Sequence, residues 1–313
     1  MSDQPTPEDR FRTAQARLFA AMDVRATSRM VRAQDRWTHV IEAGSGRPVL
    51  LVHGGDSVAG GWLPLIGRLR DGFHLFAPDR PGCGLTRWPV ARGAGLRERA
   101  TDFLLSVLDT LGLPRVNLVG SSMGGYWALA FALAHPERVQ RLALLGAPSG
   151  SAPRPRLGER LLAIPGIGGL AHSAAWPAGR SAVRGRLARS VAHPERLPEP
   201  LVDLLSAGAR LRGVERAALG ERRAAVPALG APRLTHALRG ELGGLRLPVL
   251  LAWGERERCP RRWAEELCAA LPDARLEVVP DAGHLPWLDE PQATAGLLGG
   301  FLDASARLSV RDG

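Results

Sequence analysis

Lysine is missing from this chain of 313 residues, and all 41 of its basic positions are arginine. The formal charge of +10 therefore reflects an arginine bias of the kind GC-rich coding produces. By itself it does not indicate nucleic-acid binding, and no nucleic-acid partner is expected. Also missing is any apolar run of the roughly 18 residues that a membrane-spanning helix needs, so no membrane association is expected. The N-terminal stretch MSDQPTPEDRFR lacks the basic-then-apolar order of a secretion signal, and a cytoplasmic protein is the expectation. Cysteine is scarce: Cys83, Cys259 and Cys268 are an odd number without metal-ligand spacing. That excludes a disulfide framework and a thiolate metal site, and suits small buried residues in a reducing compartment. No repeat of fixed period is visible.

What is present reads as an ordinary globular composition, with 45% hydrophobic and 23% charged residues, close to the average for folded domains. The length suits one large domain carrying an insertion better than two independent ones. The charge is unevenly placed. Residues 151–247 hold 16 Arg against 7 Asp and Glu, a balance of +9 out of the total of +10. Such a block either attracts an anionic small-molecule substrate or an acidic carrier protein, or forms the solvated faces of arginine-rich helices.

Residues 8–32 read as an amphipathic helical extension, with Phe11, Leu18, Phe19 and Met22 at helical spacing and core packing as their role. The segments WTHVIEAG, PVLLVHGG, FHLFAPD, VNLVGSS, RLALLGAP, PVLLAWG and RLEVVPDAG then read as strands. Most are unbroken apolar runs, as strands buried on both faces are, and helical patterns such as LRERATDFLLSVLDTLG and GGYWALAFALAHPERV lie between them. The expected fold is α/β: a mainly parallel sheet flanked by helices, with functional loops at the carboxyl ends of the strands. From about 150 to 247 the rhythm breaks into helix-like periodicity without a convincing strand. The expected organisation is a helical extension over 1–36, an α/β core over 37–149 and 248–313, and an inserted helical cap over 150–247.

The chemistry starts at Gly120-Ser121-Ser122-Met123-Gly124-Gly125. A serine hydroxyl attacks poorly unless it is held clear of its surroundings and given a base, and a sharp strand-to-helix turn presents it in that way. Strand and helix approach so closely there that the residues two before and two after the serine must be very small, which accounts for Gly120 and Gly124. Glycines at 120, 124 and 125 do not make GxGxxG, so a dinucleotide site is not indicated. In LLVHGGDSVAGGW, the glycines after the strand leave backbone amides free to face a developing oxyanion. The amides of Gly55 and Met123 are the candidates, and His53 reads as a structural brace. Of the eight histidines, His284 is the best placed as base, in a glycine-marked loop directly after an apolar strand. His39, His74, His135, His172, His193 and His236 lack that context, although His172, His193 or His236 could line a pocket from the cap. For the acid behind His284, Glu257 follows a strand and preserves the order Ser, acid, His. Glu255 competes closely, and Asp281 is too near His284 in sequence to reach around the ring.

Taken together, the HG loop at 53, the DRPGCG turn at 79–84, the GxSxG elbow and the GH loop at 283–284 resemble the α/β-hydrolase superfamily. The motifs fall within residues 48–150 and 247–300. The family commonly has Asp where this chain has Glu257. Within it, HGGDSVAGGW and GSSMGG look like the meta-cleavage-product hydrolases, which break carbon–carbon bonds in vinylogous diketones. Those enzymes usually have Asn where this chain has Ser121 and Trp where it has Leu285. Epoxide hydrolases and haloalkane dehalogenases use Asp at the elbow, and Ser122 argues against both.

The resulting expectation is a serine hydrolase of an ester, lactone or thioester, with Ser122 as nucleophile, His284 as base and Glu257 orienting it. Gly55 and Met123 would hold the oxyanion, and no cofactor or metal is needed. Trp62, Tyr126, Trp127 and Trp287 are candidates for an apolar pocket. The rivals are a carbon–carbon hydrolase using the same residues with cap arginines on a substrate carboxylate, a thioesterase docking an acidic carrier protein, and a non-catalytic binding protein.

Overall fold

The computed structural model describes residues 4–88, 95–149, 164, 177–225 and 235–303. His172 and most of 150–176 lie outside the described residues, as do 226–234. In chain order the elements are α1 (Pro7–Ala21), β1 (Thr27–Ala33), β2 (Arg36–Ala43), β3 (Arg47–Val52), α2 (Leu63–Leu69), β4 (Phe73–Pro78), α3 (Leu96–Thr110), β5 (Val116–Ser121), α4 (Met123–Ala134) and β6 (Val139–Leu145). Helices α5 (Arg180–Ala188), α6 (Glu199–Ala209) and α7 (Val214–Ala225) follow, then β7 (Val249–Gly254), α8 (Arg262–Ala269), β8 (Ala274–Val279), α9 (Pro286–Asp289) and α10 (Pro291–Leu302).

The eight strands form one sheet in the order β1-β2-β4-β3-β5-β6-β7-β8. The β1–β2 and β2–β4 pairs are antiparallel; from β4 onward all pairs are parallel. Parallel neighbours need long crossovers, and the helices that supply them cover both faces. The continuous apolar runs follow from this. In β3, Leu50 and Val52 face the core formed with α3, α4 and α8, whereas Val49 and Leu51 face the core formed with α1, α2, α6 and α10. β7 splits in the same way, Leu251 and Trp253 to the first side and Leu250 and Ala252 to the second.

The expected helical extension over 8–32 needs correction. Pro7 and a capping box between Thr6 and Asp9 start α1, but the chain turns at Asp23, whose φ is 49°. Thr27–Ala33 is then an edge strand, so the sheet begins within the segment assigned to the extension. The β1–β2 hairpin turns on Gln34 and Asp35, at φ 47° and 61°, the left-handed pair a two-residue turn requires and one more often filled by Asn-Gly. Phe11 and Leu18 are fully buried, each contributing about 2 kcal/mol of apolar burial. Their helix packs on α6, where a Cβ added at Gly208 would stand 3.4 Å from the Phe11 ring.

Between β6 and β7 the described residues are helical or irregular and include no strand. Several arginines of this stretch are paired: Arg180 with Asp203 and Glu199, Arg184 with Glu199, Arg196 with Glu290, Arg222 with Asp56, and Arg239 with Glu266. Cys83, Cys259 and Cys268 are free thiols of intermediate burial. Among the described residues no helix is long and apolar enough to cross a membrane.

Candidate active site

Ser122 stands between β5 and α4 at φ 52°, ψ −116°. This conformation is sparsely populated for a residue with a side chain and costs on the order of 1–3 kcal/mol. The surrounding crowding explains the glycines. A Cβ at Gly120 would lie 2.4 Å from the Gly124 carbonyl oxygen, and one at Gly124 would lie 2.0 Å from that of Val52. The Ser122 hydroxyl meets Ser149 Oγ at 3.4 Å, and the Ser149 amide donates to the Ser122 carbonyl at 3.0 Å. Sequence reasoning passed over Ser149, which sits in the loop after β6; its only signal was a polar residue at a strand's carboxyl end.

His284 follows β8, and its Nδ1 is 2.5 Å from Glu257 Oε2. The Glu257 side chain is 2% exposed. Its Oε2 also accepts the Ala147 amide at 3.3 Å and its Oε1 the Cys259 amide at 3.1 Å. Burial alone would push this carboxyl up, but the hydrogen bond and charge of His284 and the two amides outweigh it and hold Glu257 below the ordinary 4.5. Between the two candidate acids, geometry brings Glu257 to the imidazole. Glu255 is exposed and receives the Asp281 amide at 3.0 Å. Asp281 is occupied by His193 at 2.6 Å and Arg256 at 2.5 Å.

The His284 loop is anchored by Asp289, which is 4% exposed and was not singled out from the sequence. It accepts the Gly283 amide at 2.8 Å and, from the stretch between α5 and α6, those of Ala192 and His193 at 2.9 Å each. No spacing rule marks a carboxylate whose partners are all main-chain amides.

His53 is buried behind the β3 loop. Its Nδ1 donates to the Gly54 carbonyl at 2.9 Å and its Nε2 accepts the Arg80 amide at 3.0 Å. Burial, reinforced by the Arg80 charge, lowers its pKa to about 3, so the ring is neutral and braces the loop.

Gly55, Ser122, Met123, Ser149 and His284 line one cavity of about 480 Å³ with the strand ends as its floor. Val183, Arg186, Leu187, Leu201 and Leu205, from α5 and α6, form the opposite wall. Trp287 lines the cavity, but the other three aromatic candidates do not. Trp62 is fully buried behind it, stacked on Trp287 at 4.3 Å. Tyr126 and Trp127 point from α4 into the core on the other face of the sheet, where Trp127 meets Phe103 edge-on. Both stand close to the serine in sequence, but their side chains pack with Met123 into that core instead of the cavity. His193, one of the three histidines weighed for a pocket, is held between Asp281 and Glu195.

The cavity thus collects a serine hydroxyl, an imidazole backed by a buried carboxylate, and the amide at the first position of a helix, which has no intrahelical acceptor. The family model described as the alpha/beta hydrolase family matches residues 49–297, a span that takes in all of these groups. The chain belongs to the α/β hydrolase family. This α/β hydrolase is 29% identical over 265 residues to a 2-hydroxy-6-oxo-6-phenylhexa-2,4-dienoate hydrolase of Burkholderia cepacia, covering 79% of this chain and 84% of that one. A shorter match, 41% identical over 122 residues, links it to a 2-hydroxy-6-oxo-2,4-heptadienoate hydrolase of Pseudomonas putida. That match takes in 38% of this chain and 44% of the relative. A carboxylesterase structure from Bacillus subtilis superposes with a TM-score of 0.75 at 24% identity, covering 95% of this α/β hydrolase and 98% of the esterase. Hydrolysis is the reaction class of the family; the two sequence relatives are named as dienoate hydrolases, and the likeness to the esterase, at 24% identity, shows the fold.

Proposed function

We propose that this α/β hydrolase cleaves a carboxylic ester, lactone or thioester through an acyl-enzyme on Ser122. The observation that carries the reading is the 2.5 Å contact between His284 Nδ1 and the buried, ionised Glu257. A carboxylate there fixes the tautomer with Nδ1 protonated, which leaves Nε2 free to take the serine proton. Ser122 Oγ attacks the carbonyl as its proton passes to His284 Nε2. The amides of Gly55 and Met123 receive the oxyanion, a contribution of about 3 kcal/mol per donor. His284 returns the proton to the leaving group, and water activated by the same nitrogen releases the acid. The described helices between β6 and β7 act as a cap over the site, with Leu187, Leu201 and Leu205 giving the substrate an apolar setting.

A second reading is carbon–carbon hydrolysis of a vinylogous diketone by the same groups. It is favoured by the names of the relatives and by Arg186, a cation lining the cavity opposite Ser122. Fluorophosphonate labelling with peptide mapping, followed by a panel of aryl esters, thioesters and a dienoate diketone, tests both readings. The primary reading expects label on Ser122 and turnover of simple esters ahead of the diketone. Faster turnover of the diketone selects the second reading, and absence of label from Ser122 removes the acyl-enzyme.

A further inference from the structure

The amide of Gly55 can serve an oxyanion only if the Gly54–Gly55 peptide is held in one orientation, and glycines on both sides leave that peptide free to turn. In a trans peptide the carbonyl and the following N–H point in opposite directions, so whatever grips the Gly54 carbonyl aims the Gly55 amide. Two donors grip it: His53 Nδ1 at 2.9 Å and an Arg80 guanidinium nitrogen at 2.8 Å. The backbone amide of Arg80 also fixes His53 by donating to Nε2 at 3.0 Å, so one residue sets both grips.

Arg80 is fully buried, at 0% exposure, where a cation is retained only with partners. Its second terminal nitrogen donates to Glu221 of α7, whose side chain is 11% exposed, and its face lies 5.1 Å from the Trp127 ring of α4. Helix α4 begins at Met123, which carries the other candidate oxyanion amide. A single guanidinium therefore touches the peptide of one donor, the helix of the other, and a helix of the segment between β6 and β7.

We propose that Arg80 is a positioning residue for the oxyanion-binding amides, and that Glu221 makes this positioning depend on the seating of α7. The proposal rests on the serine-hydrolase reading above. A charged donor on the Gly54 carbonyl both pins the peptide and polarises it, strengthening the N–H on the far side. If α7 moves away, Arg80 loses the Glu221 carboxylate, and its hold on the peptide weakens. An open cap would then carry a weakened oxyanion site, with closure restoring it.

The test compares wild type, Arg80→Met, Arg80→Lys and Glu221→Gln. It uses a p-nitrophenyl ester, a trifluoromethyl ketone that adds to the serine as a tetrahedral oxyanion, the carboxylic acid product, and the melting temperature. Glu221→Gln and Arg80→Met are expected to lower kcat by roughly 10- to 100-fold, less than the full loss of a donor, with KM within about twofold. Ketone affinity should fall by the same factor as kcat and product affinity should be unchanged, while Arg80→Lys recovers part of the loss. Should Arg80→Met fail to fold, Glu221→Gln, which keeps an oxygen acceptor for the guanidinium, carries the test alone. An unchanged kcat, or equal losses of ketone and product binding, overturns the proposal. Failure of the underlying reading looks different: wild type would not take fluorophosphonate on Ser122 or would be inert to the ketone.

Discussion

The two walls of the cavity are built on different principles. The floor, made by the loops after β3, β5, β6 and β8, contains tight backbone turns. Gly124 abuts the Val52 carbonyl, and a Cβ at Gly254 would lie 2.1 Å from the Gly283 oxygen. The opposite wall is a set of leucine and valine side chains with Arg186 and Arg222 among them. The floor fixes where atoms stand during a reaction, and the far wall fixes what fits above them. Substitutions on the floor should therefore act on kcat, and those on the far wall on KM and substrate preference, except at Glu221, which reaches the floor through Arg80.

The largest effect belongs to the floor. Ser122→Ala is expected to lower kcat for the preferred substrate by about 10³-fold or more while substrate still binds; full activity would end the mechanism. Next comes Glu257→Gln, expected to cost at least about 10² in kcat through loss of the tautomer lock, with Glu255→Gln near wild type. The reverse pattern would transfer the role to Glu255. On the far wall, Arg186→Met should raise KM roughly tenfold for an ester bearing a carboxylate and leave a neutral ester within about twofold in both constants. A fall in kcat for both esters would erase the distinction between the walls.

A further effect is on stability against pH and again concerns the floor. His53 has a folded pKa of about 3 against an ordinary 6.5. Between those values the unfolded chain binds the extra proton, so stability is full above about pH 6.5 and declines as pH falls towards 3, by up to about 1.4 kcal/mol per pH unit. Urea unfolding of His53→Gln between pH 7 and 4 should show a shallower decline, by as much as one proton. An unchanged slope would mean that the ring is not held neutral.

The same contrast explains which features could be read from the sequence. All seven segments read as strands are strands, and in the central ones burial on both faces forces apolar residues at successive positions. The elbow was legible because its glycines answer a steric demand at fixed spacing. Strand β1 was not, since TSRMVRA offers Met30 and Val31 beside four charged or polar residues, a mixture that also suits a helix. Its turn used Gln34 and Asp35, where asparagine and glycine would have announced a hairpin. Glu257 could be narrowed to a pair, but the choice between it and Glu255 depends on which way successive side chains leave the loop after β7, which only the fold decides. Trp62, Tyr126 and Trp127 looked like pocket residues because aromatic size is visible in a sequence and the direction of a side chain is not.

Asp289 carries a consequence for how such an enzyme can change over time. Its carboxylate holds the Gly283, Ala192 and His193 segments solely through main-chain amides, so it is indifferent to which side chains stand at 192 or 193. A different helical insert could be spliced in above the same serine and keep this attachment, provided its backbone passes through the same place. The joint works like a standard coupling, which lets the part that selects substrates be exchanged while the part that performs the chemistry stays put.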